Sequence, residues 1–308
     1  METTPVALFV YNRPEHTFRT VEALKNNILA DKTELFIFAD GAKMNASRDD
    51  LIKIDKVKTL VSSLTGFKKI NLQFSKANKG LAASLIQGIN SVLEKSETII
   101  VLEDDILTSR YFLSFCNDSL VKYASEEKVM SVSGYCFPIE APPTHSYFLR
   151  TGACWGWATW KRAWNYFSLD AQSYLDDIKS ENRTEEFNFS GTYDYTGMLQ
   201  QHIEGKISSW AACWYACVFL QNGLTLYPPQ ALTLNTGMDG SGTHYKGAVD
   251  KIKEIKFNEE SLKSWTLPDN FEVDENIRNQ IKNYFGIENE FSLKQKVKNV
   301  FKKFIFTR

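Results

Sequence analysis

The chain has 308 residues and carries 36 lysine and arginine side chains against 37 aspartate and glutamate, a net charge of −1. That length holds one large domain or two small ones, and the balanced charge sets up no global field for a polyanion, so nucleic acid is excluded as a partner. Five scattered cysteines, without a Cys-x-x-Cys pair or zinc spacing, read as reduced thiols of a cytosolic protein.

The amino terminus shows no charged segment followed by a long apolar stretch, and no apolar run reaches 18 residues, so neither a signal peptide nor a membrane span is expected. Val6 to Tyr11 is a short apolar run that fits a buried first strand. Asn12-Arg13 breaks it, and Pro14 starts a helix with Phe18, Val21, Leu24 and Ile28 at helical spacing. Leu35 to Ala39 reads as a second strand ending at Asp40-Gly41. Asp49 to Leu64 reads as a helix capped by Ser47 or an aspartate. Ile70 to Phe74 is a third strand, followed by Asn78-Lys79-Gly80 and a helix from Leu81 to Glu94. Thr98 to Leu102 is the fourth strand. Such strict alternation argues a mostly parallel sheet with helices on both faces.

The fourth strand runs straight into Glu103, Asp104 and Asp105. Ligands of open α/β sheets bind outside the carboxyl ends of the strands, and parallel topology brings four such ends together. They are Asn12-Arg13, Asp40-Gly41, Lys76 to Gly80, and the acid triplet. Three adjacent carboxylates repel unless a cation or a hydrogen-bond network offsets their charge. Mg²⁺-type ions bind through one or two carboxylates plus substrate phosphates. The triplet therefore reads either as a metal-assisted nucleotide site or as a solvated acidic turn. Neither Gly-x-Gly-x-x-Gly nor a P-loop follows the first strand.

Beyond a strand over Lys128 to Tyr135, residues 152 to 164 hold four tryptophans. Trp157, Trp160 and Trp164 lie at helical spacing and suit a core. Trp155 and Trp157, around Gly156, suit instead the wall of a sugar pocket, because an indole offers a flat apolar face with a polar edge. Asp194 opens a helical stretch reaching His202, where it is either a cap or a general base. Trp210 to Leu220 reads as an apolar helix that sets Cys213 and Cys217 on one face. A short strand follows at Leu224 to Tyr227. Asn235 to His244 is glycine-rich, and His244 is either a surface histidine or a metal ligand. From Asp250 the composition turns polar, with a helix near Glu275 to Phe285. Phe291 to Arg308 reads as a basic amphipathic helix, which either lies on an anionic membrane surface or docks on the domain.

Taken in order, Pro5 to Pro14, Phe38-Ala-Asp-Gly41, Asn78-Lys-Gly80 and Glu103-Asp-Asp105 resemble the motifs of nucleotide-sugar glycosyltransferases of the GT-A fold. The likeness is to bacterial family 2-type enzymes and the N-acetylglucosaminyltransferase I group. It covers Pro5 to His244. It implies a three-layer α/β/α domain with a mostly parallel mixed sheet over residues 1–250, leaving 251–308 as linker and helical tail. It also implies transfer of a sugar from a nucleotide-diphosphate donor, a UDP-sugar, to a glycan or lipid-linked acceptor. In that scheme Asn12, Arg13, Asp40, Lys79, Gly80, Glu103, Asp104, Trp155 and Trp157 bind the nucleotide-sugar. Asp105 and His244 hold Mn²⁺ or Mg²⁺, and Asp194 is the base of an inverting reaction. The expected location is cytoplasmic, peripheral on the inner face of the membrane if the basic tail binds there. A non-catalytic nucleotide-sugar or carbohydrate-binding protein and a sugar nucleotidyltransferase are the competing readings.

Overall fold

Strand β1 (Val6–Val10) is buried along its whole length, and its residues alternate between two cores. Val6, Leu8 and Val10 face one, Ala7 and Phe9 the other, as the two-residue period of a strand dictates. The computed structural model, which describes residues 3–237, 257 and 262–286, builds outward from this strand. The first half alternates helix and strand: α1 (Pro14–Lys25), β2 (Glu34–Ala39), α2 (Arg48–Ser62), β3 (Lys69–Phe74), α3 (Leu81–Leu93) and β4 (Thr98–Glu103). Then come β5 (Ile106–Thr108), α4 (Phe112–Lys122), β6 (Val129–Ser133), β7 (Tyr147–Leu149), β8 (Trp157–Trp160) and α5 (Lys161–Trp164). Helices α6 (Ala171–Ser180), α7 (Thr184–Phe187), α8 (Tyr195–Ile203) and α9 (Trp210–Leu220) precede β9 (Leu224–Tyr227) and β10 (Thr233–Asn235).

Eight strands form one sheet in the order β3-β2-β1-β4-β8-β6-β9-β7. The first four are parallel, β8 runs antiparallel to both β4 and β6, and β9 is parallel to β6. Apolar faces of α1, α2 and α4 cover one side, through Val21, Leu24, Val57, Val61 and Phe112. The other side is covered by α3 and α9, through Leu85, Ile89, Trp210 and Trp214. The expected three-layer α/β/α architecture with a mostly parallel mixed sheet is what the chain forms. β5 pairs only with β10, in a small antiparallel sheet just past the end of β4.

Several local expectations are corrected. The buried face of α1 is Thr17, Thr20, Val21 and Leu24, whereas Phe18 is half exposed and Ile28 lies beyond the helix. Trp157, Trp160 and Trp164 do not share a helix: Trp157 and Trp160 belong to β8, wedged between β4 and β6, and only Trp164 falls in α5. Trp157 is fully buried, with its ring 5.6 Å from that of Trp210 and 5.5 Å from that of Trp214, so it cannot wall a sugar pocket. Described residues beyond 250 also contribute to the cores. Leu262, Trp265, Leu267 and Phe271 pack on the first core, and the helical residues 275–286 bring Ile277, Ile281 and Phe285 into a third cluster beside α6, α8 and α9. The segment from Phe291 to Arg308 lies outside the described residues. No helix among those described is long and apolar enough to cross a membrane.

Trp157→Ala is expected to destabilise the protein by about 3–5 kcal/mol, the cost of emptying a large aromatic from a packed interior. Urea denaturation followed by far-ultraviolet circular dichroism measures it, and a midpoint unchanged from wild type would return Trp157 to the list of ligand contacts.

Candidate active site

The connection leaving β1 runs to β2 on one side, while β4 flanks β1 on the other, paired in parallel with Leu8 opposite Leu102 and Phe9 opposite Glu103. The carboxyl ends of β1 and β4 thus flank the switch point of the sheet, the place where open α/β sheets form a ligand crevice. The turn after β1 supplies Arg13, and the end of β4 supplies Glu103, Asp104 and Asp105. Arg13 spans two of these acids, with Nη2 on Asp104 Oδ1 and Nη1 2.9 Å from Asp105 Oδ2. Pro14 at the first position of α1 sets the exit from this turn. Both the backbone N–H and the hydroxyl of Thr17 donate to the Arg13 carbonyl at 2.9 Å.

Backbone carbonyls of the two aspartates are fastened as well. The Thr20 hydroxyl donates to the Asp104 carbonyl at 2.8 Å, and Thr236 donates its N–H and hydroxyl to that of Asp105 at 2.8 and 2.9 Å. Gly237 follows at the end of β10, and any Cβ there would overlap Asp105 Oδ2 and sit 3.2 Å from Arg13 Nη1. The small β5–β10 sheet therefore has a purpose in the site. It presses the 236–237 backbone against the metal-type acid, and only glycine leaves room for the ion pair. The glycine-rich stretch from Asn235 marked Thr236 and Gly237 only as a place of close backbone approach, and nothing marked Thr20; their ties to the acids run between residues about 80 to 130 positions apart.

Burial and crowding dominate the electrostatics. Asp104 is pushed up to about 6, chiefly by burial, against the pull of Arg13. Glu103 is raised further by burial and by the adjacent charges of Asp105 and Asp104. Arg13 is raised by its two acid partners despite its burial, and stays charged. The Cys154 thiol, next to Trp155, is pushed up to about 12 by burial and by Glu103 and Asp105. It stays protonated, as a small uncharged neighbour of the acids. Among the described residues no three His, Cys, Asp or Glu side chains converge as a cage, and His244 lies outside the described residues. Asp104 and Asp105 are buried and Glu103 is partly exposed; one or two carboxylates of such a cluster are nonetheless the donor type of an ion that takes its other ligands from a diphosphate, so these residues fit Mn²⁺ or Mg²⁺ of that kind.

Asp40 ends β2 as the hub of a turn. Its buried carboxylate accepts from the N–H groups of Gly41 (2.8 Å), Lys79 (3.0 Å) and Gly80 (3.0 Å) and from Asn78 Nδ2 (2.9 Å). A carboxylate has about four lone-pair sites, and here they are filled. The turn comes so close that a Cβ on Gly41 would lie 2.5 Å from the Ala77 carbonyl carbon. Gly80, at φ 78°, takes the left-handed conformation that lets this turn enter α3. Lys79 Nζ donates to Gln87 Oε1 at 2.8 Å, on the rim of a cavity of about 410 Å³ floored by Phe38, Phe74 and Gly88. Asn12 is tied at 2.9 Å to Asp50, which also closes a capping box with Ser47 on α2.

Trp155 is half-buried and meets the Tyr135 ring edge-on at 4.8 Å. From there aromatic rings continue through Phe137 (5.6 Å), Phe285 (5.8 Å) and Tyr193 (4.9 Å). Tyr193 adjoins Asp194, which is exposed and caps α8 by accepting from the Gly197 N–H at 2.8 Å and the Thr196 hydroxyl at 3.2 Å. The sequence therefore foresaw the cap. It did not foresee the ring path between Asp194 and Trp155, which is assembled from four separate segments.

No protein-family model matches the chain, and no curated protein matches its sequence. Among solved structures, the chain is similar to residues 1–349 of S. aureus TarS, at 8% identity and a TM-score of 0.41, over 77% of this chain and 61% of that one. The match thus spans about three fifths of that structure. It is also similar to the mannosyltransferase PcManGT from Pyrobaculum calidifontis in complex with GDP-Man and Mn²⁺, at 11% identity and a TM-score of 0.34, over 71% and 70% of the two chains.

Asp40→Asn puts an NH₂ where the carboxylate now accepts backbone N–H groups, leaving at least one buried donor without a partner. A loss of about 1–3 kcal/mol is expected. Hydrogen exchange should speed up at the Lys79 and Gly80 amides, and unaltered protection at both would remove Asp40 as the pin of this turn.

Proposed function

We propose that the protein is a metal-dependent glycosyltransferase of the GT-A type, taking its sugar from a nucleotide-diphosphate donor, with UDP as the nucleotide. One observation carries this reading. Three acids end the strand on one side of the sheet's switch point, and two of them, Asp104 and Asp105, pair with a half-buried arginine from the turn after the strand on the other side. That crevice suits a diphosphate, with Asp105 as anchor for Mn²⁺ or Mg²⁺ and His244 as a further ligand. When bound, such an ion stabilises the charge that grows on the leaving diphosphate.

The remaining roles belong to the chain's own side chains. Asp40 fixes the Asn78-Lys79-Gly80 turn, and with Asn12 this turn bounds the place for the base. Asp104, held by Arg13, faces the ribose, and Glu103 lies toward the sugar. Half-buried Trp155 offers an indole face to an apolar sugar ring. The partly exposed rings of Tyr135, Phe137 and Tyr193, backed by buried Phe285, offer an acceptor glycan apolar faces that end beside Asp194. There the carboxylate takes the proton from the acceptor hydroxyl, the transfer inverts the anomeric centre, and Thr196 and the Gly197 N–H keep the base in place. The acceptor is a glycan or a lipid-linked saccharide. In the lipid-linked case Phe291 to Arg308 supplies the contact with an anionic membrane.

The primary test is a panel of nucleotide sugars assayed for metal-dependent hydrolysis, with release of UDP as the readout. Chelator-sensitive release from one UDP-sugar is expected, and calorimetry showing no UDP binding with Mn²⁺ present would sink the proposal. Asparagine caps a helix as well as aspartate does, so Asp194→Asn separates the cap from the base. Turnover should fall about 10²–10⁴-fold, with the donor KM and the melting temperature near wild type. Wild-type turnover in this variant removes Asp194 as base.

A further inference from the structure

Arg13 is paired with the acids that a metal would need. Its two terminal nitrogens divide between two carboxylates, Nη2 on Asp104 Oδ1 and Nη1 2.9 Å from Asp105 Oδ2. The Gly237 backbone closes over the same Asp105 oxygen, and the carbonyls of Asp104 and Asp105 are tied by Thr20 and Thr236. The acids are therefore fixed at the backbone, while the guanidinium stands on a long side chain. Of the groups in this contact, Arg13 is the one free to move without unfastening a strand.

From this geometry we infer that Arg13 is a built-in counter-cation that competes with the divalent ion for Asp105 and yields its place only when a nucleotide diphosphate arrives. The inference rests on the glycosyltransferase reading above and adds an order of events to it. The reasoning is electrostatic. A guanidinium and a divalent cation held by the same carboxylate repel each other in a half-buried site, so each weakens the other's hold on Asp105. Without nucleotide, the metal must take Asp105 against Arg13, which is left with Asp104 alone as its partner. With nucleotide, the planar fork of Arg13 has phosphate oxygens to move to, the partner its geometry suits best. Metal and nucleotide then bind with strong positive coupling, and by linkage each tightens the other by the same factor. Arg13 is a positioning residue in this scheme, acting through the state of Asp105.

The test reads metal occupancy rather than turnover. Free Mn²⁺ is titrated by its electron paramagnetic resonance signal against wild type, Arg13→Gln, Arg13→Lys and Asp105→Asn, each with and without UDP. Wild type should bind Mn²⁺ weakly alone and at least tenfold more tightly with UDP. Arg13→Gln should bind Mn²⁺ alone at least tenfold more tightly than wild type, and the effect of UDP should shrink by a similar factor. Arg13→Lys keeps the charge and should stay close to wild type, which separates charge competition from a change in packing. Circular dichroism confirms that each variant is folded, and the lysine variant carries the test if the glutamine variant is not. In that event, a lysine variant that binds Mn²⁺ alone tenfold more tightly than wild type would overturn the inference. Equal Mn²⁺ affinity of wild type and Arg13→Gln without UDP would overturn it too, while leaving the enzyme reading intact. The enzyme reading itself fails in a different pattern, with no Mn²⁺ bound by wild type even with UDP, or with binding unchanged in Asp105→Asn.

Discussion

The candidate site depends on the mutual repulsion of three carboxylates at the end of a buried strand. Glu103, Asp104 and Asp105 are consecutive, so covalent geometry keeps them together, and the strand before them is locked between β1 and β8. The chain offsets the crowding from outside that strand. Arg13 pairs with two of the acids, Thr20 and Thr236 hold their carbonyls, and Gly237 contributes by having no side chain. Four elements, the β1–α1 turn, α1, β4 and β10, are thereby fixed to one another by a charge arrangement that apolar packing alone would not require. Buried ionic groups are weak evidence for stability, since well-packed apolar residues of the same volume often serve better. Their presence at the open end of a sheet makes more sense as preparation for a ligand that carries charge of its own.

A second fixed point lies one strand over. Asp40 spends its whole accepting capacity on the turn between β3 and α3 and on its own Gly41. The carboxyl ends of β2 and β3 are thus joined by a carboxylate, while those of β1 and β4 are joined by a guanidinium. The two act differently. Backbone N–H groups cannot leave Asp40 without undoing the turn, so this point is rigid. A guanidinium on a flexible stem can leave Asp104 and Asp105 if a better partner comes. One edge of the sheet therefore combines a permanent anchor with an exchangeable one, as a site needs if it is to hold its shape while admitting a ligand.

Much of this was legible in the sequence. The first four strands, the parallel alternation and the convergence of their ends followed from apolar runs broken by Asn12-Arg13, Asp40-Gly41, Asn78 to Gly80 and the acid triplet, because local periodicity governs those elements. Ser47 as a helix cap and Asp194 as another followed for the same reason. The errors came where tertiary context overrode the pattern. Trp157, Trp160 and Trp164 fall three and four residues apart, a helical spacing. Yet an antiparallel strand was needed to fill the space between β4 and β6, and β8 took the first two. Within the polar stretch after residue 250, Leu262, Trp265, Ile277 and Ile281 join the cores from positions that no apolar run announced. The pairing of Arg13 with Asp104 and Asp105, across some 90 residues, left no local trace.

That last pairing also bears on how the second half relates to the first. Cys154, in the β7–β8 connection, lies near enough to Glu103 and Asp105 for their charges to raise its thiol, and the end of β10 brings Thr236 and Gly237 from further along. The first half supplies the charges, and the second half sets how they are enclosed. Changes in β8 or β10 should therefore act on the acids through the dielectric and the room around them, without touching a charged residue. The glycine at 237 is the sharpest instance. Adding one methyl group there would press on Asp105 and Arg13 together and force them apart or out into the crevice. The chemistry of the site is thus held in part by a residue that has no chemistry, and its importance follows from where β10 ends.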